Sequence, residues 1–367
     1  MQIFFIIFIT LFAVLIGGHI LIGFSLIKFF SLKPGAQKLL AIFTPVGLAI
    51  GFIASTAILN WYQAPLAKTV YHIFALWMGL AINLLLAFAL GWILILLLKK
   101  IGKPINLPIF GTILIALALT WTIYGVWNAN QIIVKTIEPG IANLPPEWKG
   151  KTAIQLSDAH LGAINGKDFS QKIVNLINKA KPDIVFITGD LFDGTCHDFL
   201  ELASPLKELE APLGTYFITG NHETYSGLNN VSGALSATPV KFIKDEILEI
   251  NGLQIAGVNY PVRGFSRDIQ PMLDKINNKK PSILLYHEPA VKTVEDAKKA
   301  GVSLMLSGHT HKGQVFPVMF ITRLIYGDYY YGLYQNEEFS LYTTSGAGTW
   351  GPPLRTGNSP EIVKIIF

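Results

Sequence analysis

The sequence predicts a four-helix transmembrane region followed by an α/β domain, and three observations lead there. Four apolar spans, at roughly 2–27, 39–60, 70–98 and 108–130, each run with almost no charge and are long enough to cross about 30 Å of hydrocarbon. Charge then returns: residues 1–150 hold 9 basic and 2 acidic residues, whereas 151–367 hold 20 and 22. In that second part, short apolar runs alternate with stretches of helical spacing, and several of the runs end in polar turns.

The spans carry few polar interruptions, namely His19, Asn60, His72 and Asn83. One such run could be a buried helix of a soluble protein; four in succession read as membrane spans. The first starts at Gln2 with no basic residue before it, so it reads as a retained span rather than a cleaved leader. Lys28, Lys33 and Lys38 follow it, and Lys99, Lys100 and Lys103 follow the third span, so both loops are expected on the cytoplasmic side. The N-terminus, the 61–69 loop and the C-terminal half then face outward, giving a multi-pass protein of a bacterial inner or plasma membrane with its domain outside. The lysines form no basic face with interleaved aromatics, which argues against a nucleic-acid partner. With Cys196 alone there is no disulfide within the chain, and a domain of about 220 residues can stand on its core. Residues 136–150, with Pro139, Gly140, Pro145 and Pro146, read as a linker between a membrane region at 1–135 and a domain at 151–367.

The domain reads as alternating strands and helices. TAIQLSD (152–158) is a strand ending on a carboxylate, and Phe169, Ile173, Leu176 and Ile177 set a helix over 168–180. DIVFITGD (183–190) is the second strand, a helix follows at about 198–210, and GTYFITGNHE (214–223) is the third strand. Meander strands are expected at 240–259, a helix at 266–279, the strand of SILLYHEP (282–289), a helix at 290–300 and the strand of VSLMLSGHTH (302–311). Final strands are expected at 340–345 and 361–367. Runs such as IVFI and SILLY are apolar on both faces, which favours a sheet covered on both sides.

Chemistry collects at the strand ends, where α/β sheets bind ligands. Asp158 and His160, at i and i+2, can converge on one ion. Asp190 follows a glycine that permits a tight turn, and its carboxylate can bridge two ions; Asp193 reads as an orienting group or a turn cap. Asn221 offers a neutral carbonyl oxygen, with His222 and Glu223 beside it. His287, and then His309 and His311 at the same i, i+2 spacing, complete the set. Five of the eight histidines lie in these turns. Carboxylate, imidazole and carboxamide together suit two divalent cations such as Mn²⁺, Fe or Zn²⁺.

The ordered motifs SDAH, GDLFD, GNHE, YHEP and GHTH resemble those of the calcineurin-like metallophosphoesterase family. The closing GAGTWGPPLRTG (346–357) and the membrane spans are similar to its bacterial YkuE-like branch. The resemblance implies a two-sheet α/β sandwich with α/β/β/α layers. It implies one metal held by Asp158, His160, Asp190 and His311, and another by Asp190, Asn221, His287 and His309. It implies phosphate-ester hydrolysis by a hydroxide activated between the two metals, with Asp190 and His222 as catalytic residues. His222 would stabilise the transferring phosphoryl group or protonate the leaving group, and Glu223 would orient it.

The substrate is less legible. The apolar, aromatic segment 316–326 reads either as a buried core strand or as a lip dipping into the bilayer interface. Arg263, Arg323, Arg355 and Tyr326 are candidates for contacting substrate, and Tyr329, Tyr330, Tyr331 and Tyr334 add ring surface. The expected partners are a lipid bilayer and a phosphorylated small molecule or lipid, with a phosphodiesterase or pyrophosphatase activity on membrane-associated or envelope substrates. A phosphomonoesterase or phosphoprotein phosphatase, and a non-catalytic membrane sensor that retains its metal site, are the alternatives.

Overall fold

The computed structural model describes residues 2–262, 267–336 and 338–367, with no side-chain description for 2–8 and 11. It divides into two compact units, residues 1–127 with 351–354 and residues 128–350 with 355–367.

The first unit contains α1 (Gln2–Phe29), α2 (Ala36–Leu59), α3 (Pro65–Lys100) and α4 (Leu107–Ala129). All four are long and apolar enough to cross a membrane. Their packing inverts the pattern of a water-soluble bundle. A small interior of Ile22, Phe29, Ala81, Phe88 and Leu114 is buried, while Leu40, Phe43, Leu96 and Ile123 are largely exposed on the outside. Polar side chains pair internally, as hydrocarbon requires: Asn83 Nδ2 donates to Thr122 Oγ1 (2.9 Å) and Trp92 Nε1 to Ser25 Oγ (3.1 Å). Gly23 lets α1 approach α2, because a Cβ there would lie 2.6 Å from the Ala41 carbonyl oxygen.

The second unit begins with β1 (Ile133–Ile137), β2 (Thr152–Leu156), α5 (Lys167–Lys179), β3 (Ile184–Thr188), α6 (Phe199–Ala203) and β4 (Thr215–Ile218). There follow α7 (Asn221–Ser226), α8 (Leu228–Leu235), β5 (Val240–Phe242), β6 (Glu246–Ile250), β7 (Leu253–Val258), α9 (Gln270–Leu273) and β8 (Ser282–Tyr286). The unit ends with α10 (Val291–Lys299), β9 (Leu304–Ser307), α11 (Met319–Tyr326), β10 (Gly332–Asn336), β11 (Phe339–Thr343) and β12 (Glu361–Ile366).

These strands form two six-stranded sheets, ordered β1-β12-β2-β3-β4-β5 and β10-β11-β9-β8-β7-β6. The period-2 alternation of each apolar strand assigns its two faces. Ile184 and Phe186 of β3 meet Ile283 and Leu285 of β8 in the core between the sheets. Val185 and Ile187 turn the other way, onto Ile173, Val174 and Ile177 of α5. Leu284 and Tyr286 of β8 likewise pack with Val294 and Ala297 of α10. The result is the α/β/β/α sandwich, and runs apolar on both faces are the direct sign of it.

Four expectations need correction. Residues 133–137, expected at the end of the membrane region and the start of a linker, form β1, which pairs in parallel with β12 from Ile133↔Glu361 onward. The helix expected over 266–279 is reduced among the described residues to α9, with Pro271 in its first turn, where a missing N–H costs nothing. Residues 198–210 divide into α6 and a 3₁₀ turn over Ser204–Glu208. The core-strand reading of 316–326 fails, because this stretch contains α11, whose outer side chains are exposed.

Trp148 pins the segment between β1 and β2. It is fully buried, donates Nε1–H to the Ile250 carbonyl (3.0 Å) and meets Phe367 edge to face. Trp148→Ala should destabilise the unit by about 3–5 kcal/mol, read as a fall of roughly 10 °C in the melting midpoint of the detergent-solubilised chain.

Candidate metal centre

The carboxyl ends of β2, β3 and β4 from one sheet meet those of β8 and β9 from the other, and every expected ligand sits just past one of them. Backbone bonds lace the turns together: Asp158 N–H donates to Gly189 O, His160 N–H to Asp190 O, and Gly308 N–H to His287 O. Gln155 Nε2 crosses between the sheets to Ser307 O (2.9 Å). Five ligand candidates lie in the left-handed region that non-glycine residues avoid: Asp158 (φ 52°), His160 (46°), Asp190 (49°), His309 (68°) and His311 (48°). Each such residue costs on the order of 1–3 kcal/mol, so the surrounding fold holds them there against local preference.

The side chains converge in two groups. Asp158, His160 and His311 form one, and Asp190, His287 and His309 the other, with the ligand atoms of each within 4.8 Å of one another. Asn221 joins the second, its Oδ1 lying 3.0 Å from His309 Nδ1. Asp190 stands between the groups, Oδ2 being 3.2 Å from His287 Nε2 and 3.8 Å from His160 Nε2.

The donor set fits cations. His287 gives its Nδ1–H to the Thr188 carbonyl (2.8 Å), which leaves the Nε2 lone pair facing inward. That Nε2 is buried and makes no hydrogen bond of good geometry, even to Asp190. His160 Nε2 and His311 Nε2 face each other at 3.0 Å, an arrangement in which one proton at most can be shared. The Asp190 carboxylate shows the same demand for positive charge. Burial lowers the basicity of His287, but Asp190 raises it by more, to about 10. Burial would raise Asp190, and His287 and His222 instead hold it well below the usual carboxylate range. His160 and His311 are held low by burial, with the Arg355 charge adding to it at His311, so both stay neutral as a metal ligand must.

His222 lies beside the first group, its ring 4.5 Å from that of His160 and edge-on to it. In the neutral ring Nδ1 accepts the Gly194 N–H (2.9 Å), with the ring proton on Nε2. Burial lowers its basicity, but Asp190 and Asp193 raise it by more, to about 9, so the ring is protonated near neutral pH. The protonated ring can therefore turn Nδ1–H to Asp193 Oδ1 at 3.2 Å.

Several side chains do something other than expected. Glu223 makes no bond to His222. It is fully buried and accepts the N–H groups of Asp190 (2.9 Å), Phe192 (3.0 Å) and Gly220 (2.7 Å), fastening the second turn to the third. Arg355 is not open to substrate. It is fully buried, and its guanidinium donates to the carbonyls of Ser345 (2.7 Å) and Gly348 (2.6 Å) and to Asn358, behind His311. Arg323 is exposed, with Nη2 3.8 Å from Asp328, and does not converge on the ligands. Arg263 lies outside the described residues. Tyr326 does converge: its hydroxyl donates to Glu288 (3.2 Å) and its ring meets His309 edge-on at 6.1 Å. Tyr260, which the motif reading passed over, stacks on the other side of His309 at 6.4 Å. Its signal was the same as for the ligands, a polar turn at the end of an apolar strand.

A sequence profile described as "Calcineurin-like phosphoesterase" matches residues 152–313. An uncharacterized metallophosphoesterase of Campylobacter jejuni is 34% identical over 315 residues, 82% of each chain. A transmembrane protein with metallophosphoesterase domain from Danio rerio is 33% identical over 67% of this chain and 60% of its own. The uncharacterized metallophosphoesterase YkuE of Bacillus subtilis is 30% identical over 64% of this chain and 86% of its own.

Gly308 is where backbone must pass closest to a ligand. A Cβ there would lie 2.1 Å from Ser157 Oγ and 2.2 Å from Asp158 Oδ2. Gly308→Ala should weaken metal affinity by about 10–100-fold, measured by competition with a chromophoric chelator, while the far-UV circular dichroism stays unchanged.

Proposed function

The chain belongs to the calcineurin-like metallophosphoesterase family, and from that premise we propose that it hydrolyses phosphodiester or pyrophosphate bonds of membrane-associated substrates with two divalent cations. The observation that carries this reading is the pair of ligand groups joined by Asp190, which stands within 4 Å of a histidine from each. Cations held there would supply the charge that makes a water nucleophilic near neutral pH and that offsets the phosphate oxygens. Asp158, His160, Asp190 and His311 would hold one cation, and Asp190, Asn221, His287 and His309 the other. The family's chemistry narrows the choice to divalent ions, and Mn²⁺, Fe or Zn²⁺ match the mixed oxygen and nitrogen donors.

The protein's own groups supply the rest. His222 is held protonated by Asp190 and Asp193, and with Nδ1–H turned to Asp193 its Nε2–H can pass to a leaving oxygen or the transferring phosphoryl group, leaving a neutral imidazole. Asp193 Oδ1, 3.2 Å from Nδ1, stabilises the protonated ring. Glu223 holds Asp190 by its backbone, so the shared carboxylate cannot swing away. Tyr260 and Tyr326 flank His309 and stay neutral, since burial and Glu288 push both hydroxyls up.

The lysines support an outer placement of this unit. With Lys28, Lys33 and Lys38 in one loop and Lys99, Lys100 and Lys103 in another, both on the cytoplasmic side, an even number of spans puts the phosphoesterase unit on the outer side.

Full-length protein in detergent should hydrolyse bis-p-nitrophenyl phosphate faster than p-nitrophenyl phosphate, lose turnover with EDTA and regain it with Mn²⁺. Full activity with no more than one ion per chain, by plasma mass spectrometry, overturns the two-cation reading; faster monoester turnover overturns the diester reading. His222→Asn should lower turnover of an alkyl phosphodiester by about 10²-fold or more and that of the p-nitrophenyl ester by less, since p-nitrophenolate needs no proton. Equal losses would assign His222 to the phosphoryl group instead.

A further inference from the structure

Helix α11 has its sidedness reversed. Thr322 is buried and Tyr326 reaches Glu288 beside the ligand His287, so one face of the helix lies against the site. The opposite face carries Phe320 (62% exposed), Ile321 (59%), Leu324 (85%) and Ile325 (61%). Four large apolar side chains on two turns, all turned to solvent, are not the scatter of single exposed residues that a soluble surface tolerates. Elsewhere in the described part of this unit no helix presents more than one such residue.

The rim of this face is built of cations and tyrosines. Arg323 lies on the helix itself, with its guanidinium 5.9 Å over the Tyr330 ring and Asp328 as the acid beside it. Lys312 Nζ sits 4.0 Å and Lys135 Nζ 4.6 Å over the Tyr331 ring. An apolar face bordered by amphipathic rings and basic groups matches the layered chemistry of a bilayer interface, with hydrocarbon inside and anionic headgroups around it. The same chain carries four helices long and apolar enough to span a membrane, so this unit is covalently tethered to a bilayer-spanning segment.

We propose that α11 inserts its Phe320, Ile321, Leu324 and Ile325 face into the bilayer interface, with Tyr330, Tyr331 and Arg323 at headgroup level. Because Tyr326 projects from the same helix toward His309, a phosphate at the headgroup layer is presented to the ligand groups while its acyl chains stay in the membrane. That consequence rests on the hydrolase reading above; the membrane contact does not.

The test uses the full-length chain with Cys196→Ala, spin-labelled at Leu324→Cys and reconstituted in vesicles of phosphatidylethanolamine and phosphatidylglycerol. Paramagnetic relaxation should place the label about 5–10 Å below the headgroups, more accessible to oxygen than to a water-soluble nickel chelate. A label at Leu200→Cys, also largely exposed and near the start of α6, should show the reverse. If Leu324→Cys misfolds, Phe320→Cys reads the same face. A chelate-accessible label overturns the proposal, as does a label shielded from both reagents and broadened by a second copy. Failure of the hydrolase reading would show separately, as absent bis-p-nitrophenyl phosphate turnover with the depth unchanged.

Discussion

The buried Asp190 carboxylate is the constraint around which the phosphoesterase unit is organised. An ionised carboxylate out of water is tolerated only with positive charge or several donors near it. Here the backbone N–H of His222 reaches Oδ1 at 2.9 Å, and His287 and His160 flank Oδ2. The main chain at Asp190 is left-handed and held from behind by Glu223. That carboxylate therefore cannot relax toward solvent or toward one neighbour alone. Position is exchanged for local strain, and the two sandwiched sheets supply the rigidity that keeps the exchange favourable.

Much of this could be read from the residues. The strands announced themselves as short apolar runs, and each ligand followed a run directly, because α/β sheets expose their chain turns at that edge. The four spans were legible within a few residues, since length and absence of charge are the physical requirement itself. What escaped the reading was long-range. Nothing local says that Glu223 turns away from the adjacent His222 to collect three backbone N–H groups. Arg355 read as a candidate for contacting substrate because its actual acceptors are carbonyls, which have no sequence signature. The short strand β1 was hidden because its partner lies more than two hundred residues away. Segment 316–326 was ambiguous for a different reason: an apolar run has the same composition whether it faces a core or a lipid phase.

The two units place their polar groups differently. In the helical unit Asn83 pairs with Thr122 and Trp92 with Ser25, and the outer surface is left apolar. In the phosphoesterase unit the expected ligands gather at one sheet edge, and apolar side chains such as Ile184, Phe186, Ile283 and Leu285 fill the space between the sheets. Glu361 is an instructive case at that boundary. It is buried, and Tyr331, Tyr342, Thr344 and Ser345 all donate to it, which secures the loop that runs behind Asp158.

The strand order has a bearing on biosynthesis. β12 lies between β1 and β2, so the first strand to leave the helical unit is connected to its sheet only through the last strand described. Until the ribosome has delivered residues 361–366, β1 has no neighbour and β2 presents an open edge. The four helices can be inserted long before that moment, since each satisfies its own backbone. Membrane integration and closure of the sandwich are thus separated in time by the translation of more than two hundred residues, an interval in which the nascent unit needs shielding from edge-to-edge association.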